Sequence, residues 1–374
     1  MNSGKTKAEP KGSAFYVRCF MGNIIDFVKT QGAKSFEELP FTPVDAAVLC
    51  QLSYLKFEYL PENMTLLESA AAGERGKLFE DDRFGDLQRD LYFEALFSRR
   101  YQNMRVSFVV SEKLEEPELC FCGMVFFPQG CTPAVVFRGT DEYIVGWKED
   151  FEMAFISPVP SQIMSVYYLT FAAEKIEDRF FVCGHSKGGN LAIGAAVNSP
   201  AEVRDRIKFI YNLDGPGFRS DISERDGYAE LRGRTMKLVP EKTFVGRLLQ
   251  DTTVCSVVES KGLGLMQHAI FNWKVDKFGD FIFKEESLLS VRNRLSGNIA
   301  SLSDDQLKCF VEALFSILKD ADVENIVEFR KQWLKNSRKL LEAYSELDCK
   351  TRRLLRETVS ELLKSVVQEG AVGT

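Results

Sequence analysis

Hydrophobic spacing changes period along the chain. Apolar positions at Phe15, Val17, Phe20, Ile24, Ile25 and Phe27 recur at helical intervals and predict a short helix within 14–40, followed by a Gly/Pro-flanked turn. Thr42-Pro43-Val44-Asp45 reads as a helix start, and Ala46 through Tyr54 supplies the apolar stripe behind it. Residues 61–103 are charged with helical spacing at Leu87, Leu91 and Leu96, and Arg105–Val110 then turns strand-like.

In the middle of the chain, strand-like and helical runs alternate. Gly123–Phe127 and Pro133–Phe137 read as strands, Trp147–Phe155 and Ile163–Ile176 as helices, and Arg179–Cys183 as a strand. A helix from Ser186 follows, then strands at Ile207–Leu213 and Thr235–Val239. Two antiparallel-type strands are expected at Thr253–Val258 and Phe278–Phe283. Alternation of this kind predicts βαβ units: an α/β fold with a mostly parallel sheet and helices on both faces.

From Ser303 onward only helical stripes remain, running through Leu307, Phe310 and Leu314, through Trp333, Leu340 and Leu347, and through Leu354, Val359 and Val366. Residues 300–370 are therefore expected to form a C-terminal helical appendage. Arg330–Arg356 is cationic, with nine Lys/Arg against three Asp/Glu. A solvated helix face accounts for such a run; weak contact with a membrane surface or a partner is the alternative.

Composition narrows the function classes. The 374 residues are 45% hydrophobic and 27% charged, enough apolar matter for a sizeable core and incompatible with wholesale disorder. A net charge of −6 argues against nucleic acid as the main partner, since phosphate binding needs surplus clustered cations. Nine scattered cysteines and two histidines lack zinc spacing; Cys120 and Cys122, the one close pair, read as strand-edge thiols. Neither metal nor organic cofactor is expected. The polar Met1–Pro10 segment has no signal-peptide core and no run is long enough to span a membrane, so a soluble cytoplasmic protein is expected.

The chemistry is concentrated at Gly184-His185-Ser186-Lys187-Gly188. Five letters are weak evidence, but apolar Phe180–Cys183 runs into them and a small-residue helix, Leu191–Val197, runs out. Such a strand–turn–helix setting is what a nucleophile elbow requires. Gly184 and Gly188 lack the Cβ atoms that would clash in so sharp a turn, while Gly189 and Gly194 let the helix approach the sheet. The helix N-terminus would set the Lys187 N–H beside a developing oxyanion.

A serine hydroxyl needs a base. His185 adjoins Ser186 and leaves the turn in another direction, so His268 is the expected base. In the chain order Ser, acid, His that accompanies such an elbow, the acid lies between 186 and 268. Asp214, at the end of an apolar strand, is preferred, with Glu241 and Asp251 as alternatives. Val135–Phe137 ends in Arg138-Gly139-Thr140, whose Thr140 N–H would be the second oxyanion donor, the hydroxyl assisting; Arg138 is expected to anchor the turn by pairing with Asp150.

Phe137-Arg-Gly-Thr140, Trp147-Lys-Glu-Asp-Phe151 and Gly184-His-Ser-Lys-Gly-Gly189 together resemble the class 3 (fungal-type) lipases, which carry an Arg-Gly-Ser/Thr turn, a Trp-x-x-Asp helix and a Gly-His-Ser-x-Gly-Gly elbow in that order. Leu52-Ser53-Tyr54, Asn212–Phe218, Val239–Gly246 and Gln267-His268 are similar to an uncharacterised lipase-like bacterial branch of serine hydrolases. The resemblance spans about 41–283. It implies an α/β-hydrolase domain there, between an N-terminal tail with a short helix (1–40) and a helical appendage or cap (284–374). It also implies hydrolysis of a small-molecule or lipid acyl ester. Thioesterase or acyltransferase action on the same residues, and a non-catalytic binding module, are the other readings it leaves. The elbow departs from those lipases in carrying Lys187 where they commonly have Leu, and the class 3 acid position falls near Glu241 and Thr243 rather than Asp214.

Overall fold

A computed structural model describes residues 20–284 except 74, 81–84, 142–143, 244, 252 and 263, together with 304–320 and residues 342, 344, 345, 349, 352, 353 and 356. Strand β1 (Phe20–Gly22) leads into helix α1 (Ile24–Gln31), capped by Asn23 and Asp26. Helix α2 (Pro43–Leu52) starts at the expected place, because Thr42 and Asp45 form a reciprocal cap around Pro43. The charged region that follows yields the short α3 (Leu66–Ser69) and α4 (Asp86–Leu96).

The sheet is formed by β2 (Arg105–Glu115), β3 (Glu118–Phe127), β4 (Ala134–Phe137), β5 (Phe180–His185), β6 (Ile207–Leu213), β7 (Thr235–Pro240) and β8 (Cys255–Val258), side by side in that order. β2, β3 and β4 pair antiparallel; every later pair is parallel. Between strands lie α5 (Ile144–Glu152), α6 (Pro160–Lys175), α7 (Lys187–Asn198), α8 (Ala201–Arg206) and α9 (Asp226–Leu231). A two-residue β9 (Val275–Asp276) pairs with β1, and α10 spans Asp304–Asp320.

The strictly sequential strand order has a consequence. Right-handed crossovers that always advance in one direction put their helices on a single face. Accordingly α6, α7, α8 and α9 share one core with Val135, Phe180, Val182 and Ile210. The opposite face, carrying Val136, Phe181, Cys183 and Leu213, is covered by α1, α2 and α4 from the start of the chain. Alternation along β5 (Phe180 and Val182 to one side, Phe181 and Cys183 to the other) feeds both cores. The described residues of 20–104 thus cover a face that the crossovers leave bare. Buried Asp45 at the start of α2 fastens this layer, receiving Arg100 Nε and Nη2 at 2.7 and 2.8 Å.

This is an α/β-hydrolase fold, with a mostly parallel sheet and helices on both faces. Two strand expectations are corrected. Within the segment 253–258, Cys255–Val258 pairs parallel to β7; the 14-residue connection is long enough for a crossover and, among its described residues, holds one turn of 3-10 helix (Val245–Arg247) and no α-helix. Segment 278–283 makes only isolated antiparallel bridges, Phe281 with Val275 and Phe283 with Val258. Cys120 and Cys122 lie on β3, paired with β2; on the other side Cys122 O accepts Arg138 N, while the Cys120 backbone, beyond the residues paired with β4, meets Glu149 and Lys187, so neither lies on a free strand edge. Helix α10 rests on α5, where Phe315 meets Phe151 edge to face, and Asp304 pairs with Arg219. Most of the cationic segment 330–356 lies outside the described residues.

Candidate active site

Each residue singled out for chemistry follows the carboxyl end of a parallel strand or the loop beyond it, where open α/β sheets present their sites. Ser186 follows β5 at φ 59° and ψ −132°, a left-handed conformation costly for a residue with a Cβ. The turn is held by Ser186 N donating to Leu213 O at 3.0 Å and Gly189 N to Ser186 O at 2.9 Å. Two glycines make it sterically feasible. A Cβ on Gly184 would sit 2.0 Å from the Gly188 carbonyl oxygen, and one on Gly188 would sit 2.1 Å from that of Phe137.

Asp214, beyond β6, is fully buried and also has positive φ. Its Oδ2 lies 2.7 Å from His268 Nδ1, and its Oδ1 accepts from the Thr243 hydroxyl, which in turn receives Gly246 N at 2.9 Å. A carboxylate only accepts, so Nδ1 carries the imidazole proton and Nε2 keeps its lone pair. The other acids are engaged elsewhere: Asp251 pairs with Lys237, and Glu241 with Lys284 at 2.9 Å. The loop carrying His268 is pinned by Gln267, whose Oε1 accepts Lys242 N at 2.8 Å and whose carbonyl accepts Trp273 Nε1 at 2.8 Å.

His185 is buried beside this pair. Its Nε2 lies 2.9 Å from the His268 carbonyl oxygen, and its Nδ1 lies 3.4 Å from the Tyr54 hydroxyl. Tyr54 also comes close to the Gly139 turn, where an added Cβ would meet its hydroxyl at 2.2 Å and Ser186 Cβ at 3.2 Å. Sequence reasoning gave Tyr54 no chemical part; an apolar-looking helix end carries no local signal of a hydroxyl partner 131 residues away.

Thr140, after β4, donates its hydroxyl to Asp150 Oδ2. Arg138 does not pair with Asp150 as expected. It reaches the opposite way, to Glu58 Oε1 and Oε2 at 3.0 and 2.9 Å and to the carbonyls of Ser53 and Leu55. Asp150 instead lies 3.5 Å from the Lys187 ammonium, which meets Glu149 Oε2 at 2.5 Å. Burial pushes the Asp150 carboxyl up to about 6, against the pull of Lys187 and the Thr140 hydroxyl. For Lys187 burial works downward, but Asp150 and Glu149 outweigh it and hold the ammonium above its ordinary range. A lysine opening a helix of glycines and alanines was the available clue to these acids.

A family model described as Mbeg1-like matches residues 95–316, more than half of the sequence. The chain belongs to the Mbeg1-like family. This family is lipase-like, and the matched segment takes in the Arg138-Gly139-Thr140 turn, the elbow, Asp214 and His268. Among solved structures, similarity is found to the M37 lipase (14% identity, 54% of this chain and 67% of that one, TM-score 0.34). A mutant form of MDLA from Penicillium cyclopium gives 11% identity over 68% of this chain and 89% of that one, with a TM-score of 0.39. A fungal lipase in complex with an inhibitor gives 14% identity, 68% and 92% coverage, and a TM-score of 0.39. The chain has no match among curated proteins.

Among the described residues, no group of three or more His, Cys, Asp or Glu side chains is disposed to hold a metal ion, and no helix is long and apolar enough to cross a membrane.

Proposed function

We propose that this Mbeg1-like protein is a serine hydrolase that cleaves a carboxylic (acyl) ester through Ser186, His268 and Asp214. The observation that carries the reading is the 2.7 Å bond between His268 Nδ1 and buried Asp214, supported by the strained, elbow-type conformation of Ser186. Such strain persists only where its surroundings enforce it, and it clusters at functional sites.

Ser186 Oγ attacks the ester carbonyl carbon while His268 Nε2 takes its proton. Asp214 keeps the imidazole in the tautomer with Nε2 free and stabilises the imidazolium that forms. The amides of Thr140 and Lys187 receive the oxyanion; a donor of this kind contributes on the order of 10²–10³ in rate. Collapse of the tetrahedral species breaks the ester C–O bond, and the imidazolium protonates the departing alcohol. An acyl-Ser186 ester remains. Water, deprotonated by His268, attacks it, and the acid leaves as Ser186 regains its proton.

The direct test is labelling with a fluorophosphonate probe and turnover of short and long p-nitrophenyl esters. Wild type is expected to do both and Ser186→Ala neither, with an unchanged circular dichroism spectrum. A well-folded wild type inert in both assays would overturn the reading in favour of a binding module. Competing thioester and acyl-acceptor substrates assign the leaving group.

A further inference from the structure

Within the elbow, Lys187 occupies the position that class 3 lipases commonly give to a leucine, and the ester-cleaving steps above use only its amide. Its side chain is nonetheless just 2% exposed. A buried ammonium is tolerated only where acids and acceptors replace its water. Here Nζ meets Glu149 Oε2 at 2.5 Å, the Cys120 carbonyl at 2.9 Å and Asp150 Oδ1 at 3.5 Å. Glu149 is fully enclosed and also takes the amides of Cys120 at 3.1 Å and Ser161 at 2.7 Å. One cation thus ties the elbow helix to β3, to α5 and to the start of α6.

The decisive link is Asp150, which faces Lys187 with one carboxylate oxygen and the Thr140 hydroxyl with the other. Thr140 and Lys187 lie on separate chain segments, β4–α5 and β5–α7, yet their amides form the two halves of the proposed oxyanion hole. We infer that Lys187 is a positioning residue: through Asp150 its ammonium fixes the Thr140 turn relative to the elbow, so that the hole is preformed before substrate arrives. This inference rests on the serine-hydrolase reading. Burial alone drives Asp150 toward its neutral form, and the Lys187 charge opposes that drive. Without the ammonium, Asp150 loses the cation that faces its Oδ1, and the Thr140 turn loses its tether to the elbow helix. A mislocated donor is costly because hydrogen bonds to an oxyanion depend steeply on distance and angle.

The experiment is a double-mutant cycle on Lys187→Met and Asp150→Asn, with kcat expressed per fluorophosphonate-titrated site on a p-nitrophenyl ester. Each single change is expected to lower kcat about tenfold or more, leaving KM within about twofold, and the double variant to be no slower than the slower single one. Lys187→Met with lowered thermal stability but wild-type kcat per titrated site would overturn the inference, as would independent, multiplicative effects. Should Lys187→Met fail to fold, Lys187→Met/Glu149→Gln removes the buried pair together; reduced kcat supports the inference and wild-type kcat overturns it. Wild-type protein that neither labels nor turns over ester overturns the underlying reading rather than this refinement of it.

Discussion

His185 and His268 lie face to face, their ring centroids 4.6 Å apart and their planes 29° from parallel. The His185 Nε2 also donates to the backbone carbonyl of His268 at 2.9 Å, so one imidazole fixes both the ring and the main chain of the other. A carbonyl accepts only; His185 therefore carries its proton on Nε2 and presents Nδ1 as an acceptor to the Tyr54 hydroxyl.

That contact gives a first expectation. His185→Phe keeps a ring to stack and loses the donor, so the His268 loop is less well held while substrate contacts are untouched. kcat should fall by about tenfold with KM little changed, the pattern of an interaction made only in the transition state. Tyr54→Phe, which removes a bond of 3.4 Å, should have the smaller effect. Steady-state kinetics on one p-nitrophenyl ester, with sites titrated, checks both.

Asp214→Asn should lower kcat by roughly 10³–10⁴ without loss of fold, because the amide can donate to Nδ1 and so select the wrong imidazole tautomer. Asp251→Asn and Glu241→Gln should leave kcat within about threefold. Their carboxylates bind Lys237 and Lys284, and the Lys237 pair is largely buried, so Asp251→Asn should instead lower Tm. A large kcat loss at Asp251 or Glu241, with Asp214→Asn near wild type, would move the acid.

Much of this was legible in the sequence for local reasons. The β5–α7 unit announced itself because an apolar strand, paired glycines and a small-residue helix are dictated by one tight turn. Asp214 stood out as a carboxylate ending an apolar strand. What lay hidden is non-local. Arg138 and Glu58 are 80 residues apart, Lys187 and Glu149 are 38, and neither helical nor strand period links such partners. The parallel pairing of β8 was missed for a related reason: the described residues of its crossover hold only one 3-10 turn, Val245–Arg247, too short to give a helical period, so the segment looked like half of a hairpin.

Asp150 yields a pH prediction. Its carboxyl is raised from 3.8 to about 6, so the folded state holds that proton more tightly than the unfolded chain. The stabilisation this confers is complete below about pH 3.8 and is lost as pH rises through 6. A rise of that size corresponds to roughly 3 kcal/mol at most. Asp150→Asn lacks the titration. The stability of wild type relative to this variant, from urea unfolding, should therefore decline between about pH 4 and about pH 6.5 and be flat above it.

Arg138 supplies the last expectation. Its guanidinium is nearly enclosed, binds Glu58 through two nitrogens and also caps the carbonyls of Ser53 and Leu55. It immediately precedes Gly139-Thr140, so it fastens that turn to the segment following α2. Arg138→Met would strand a partly buried carboxylate and two carbonyls, and urea unfolding near pH 7 should report a loss of about 3–5 kcal/mol. Arg138→Lys retains the charge but not the two-pronged geometry and should recover only part of it. Burial acts to raise the Glu58 carboxyl, but the guanidinium prevails and holds it below its usual range. Its contribution is thus present above about pH 4.5 and lost as pH falls, so the gap between wild type and Arg138→Met should narrow in acid. A gap independent of pH down to about 3 would show that packing of the arginine stem, rather than the ion pair, holds the turn in place.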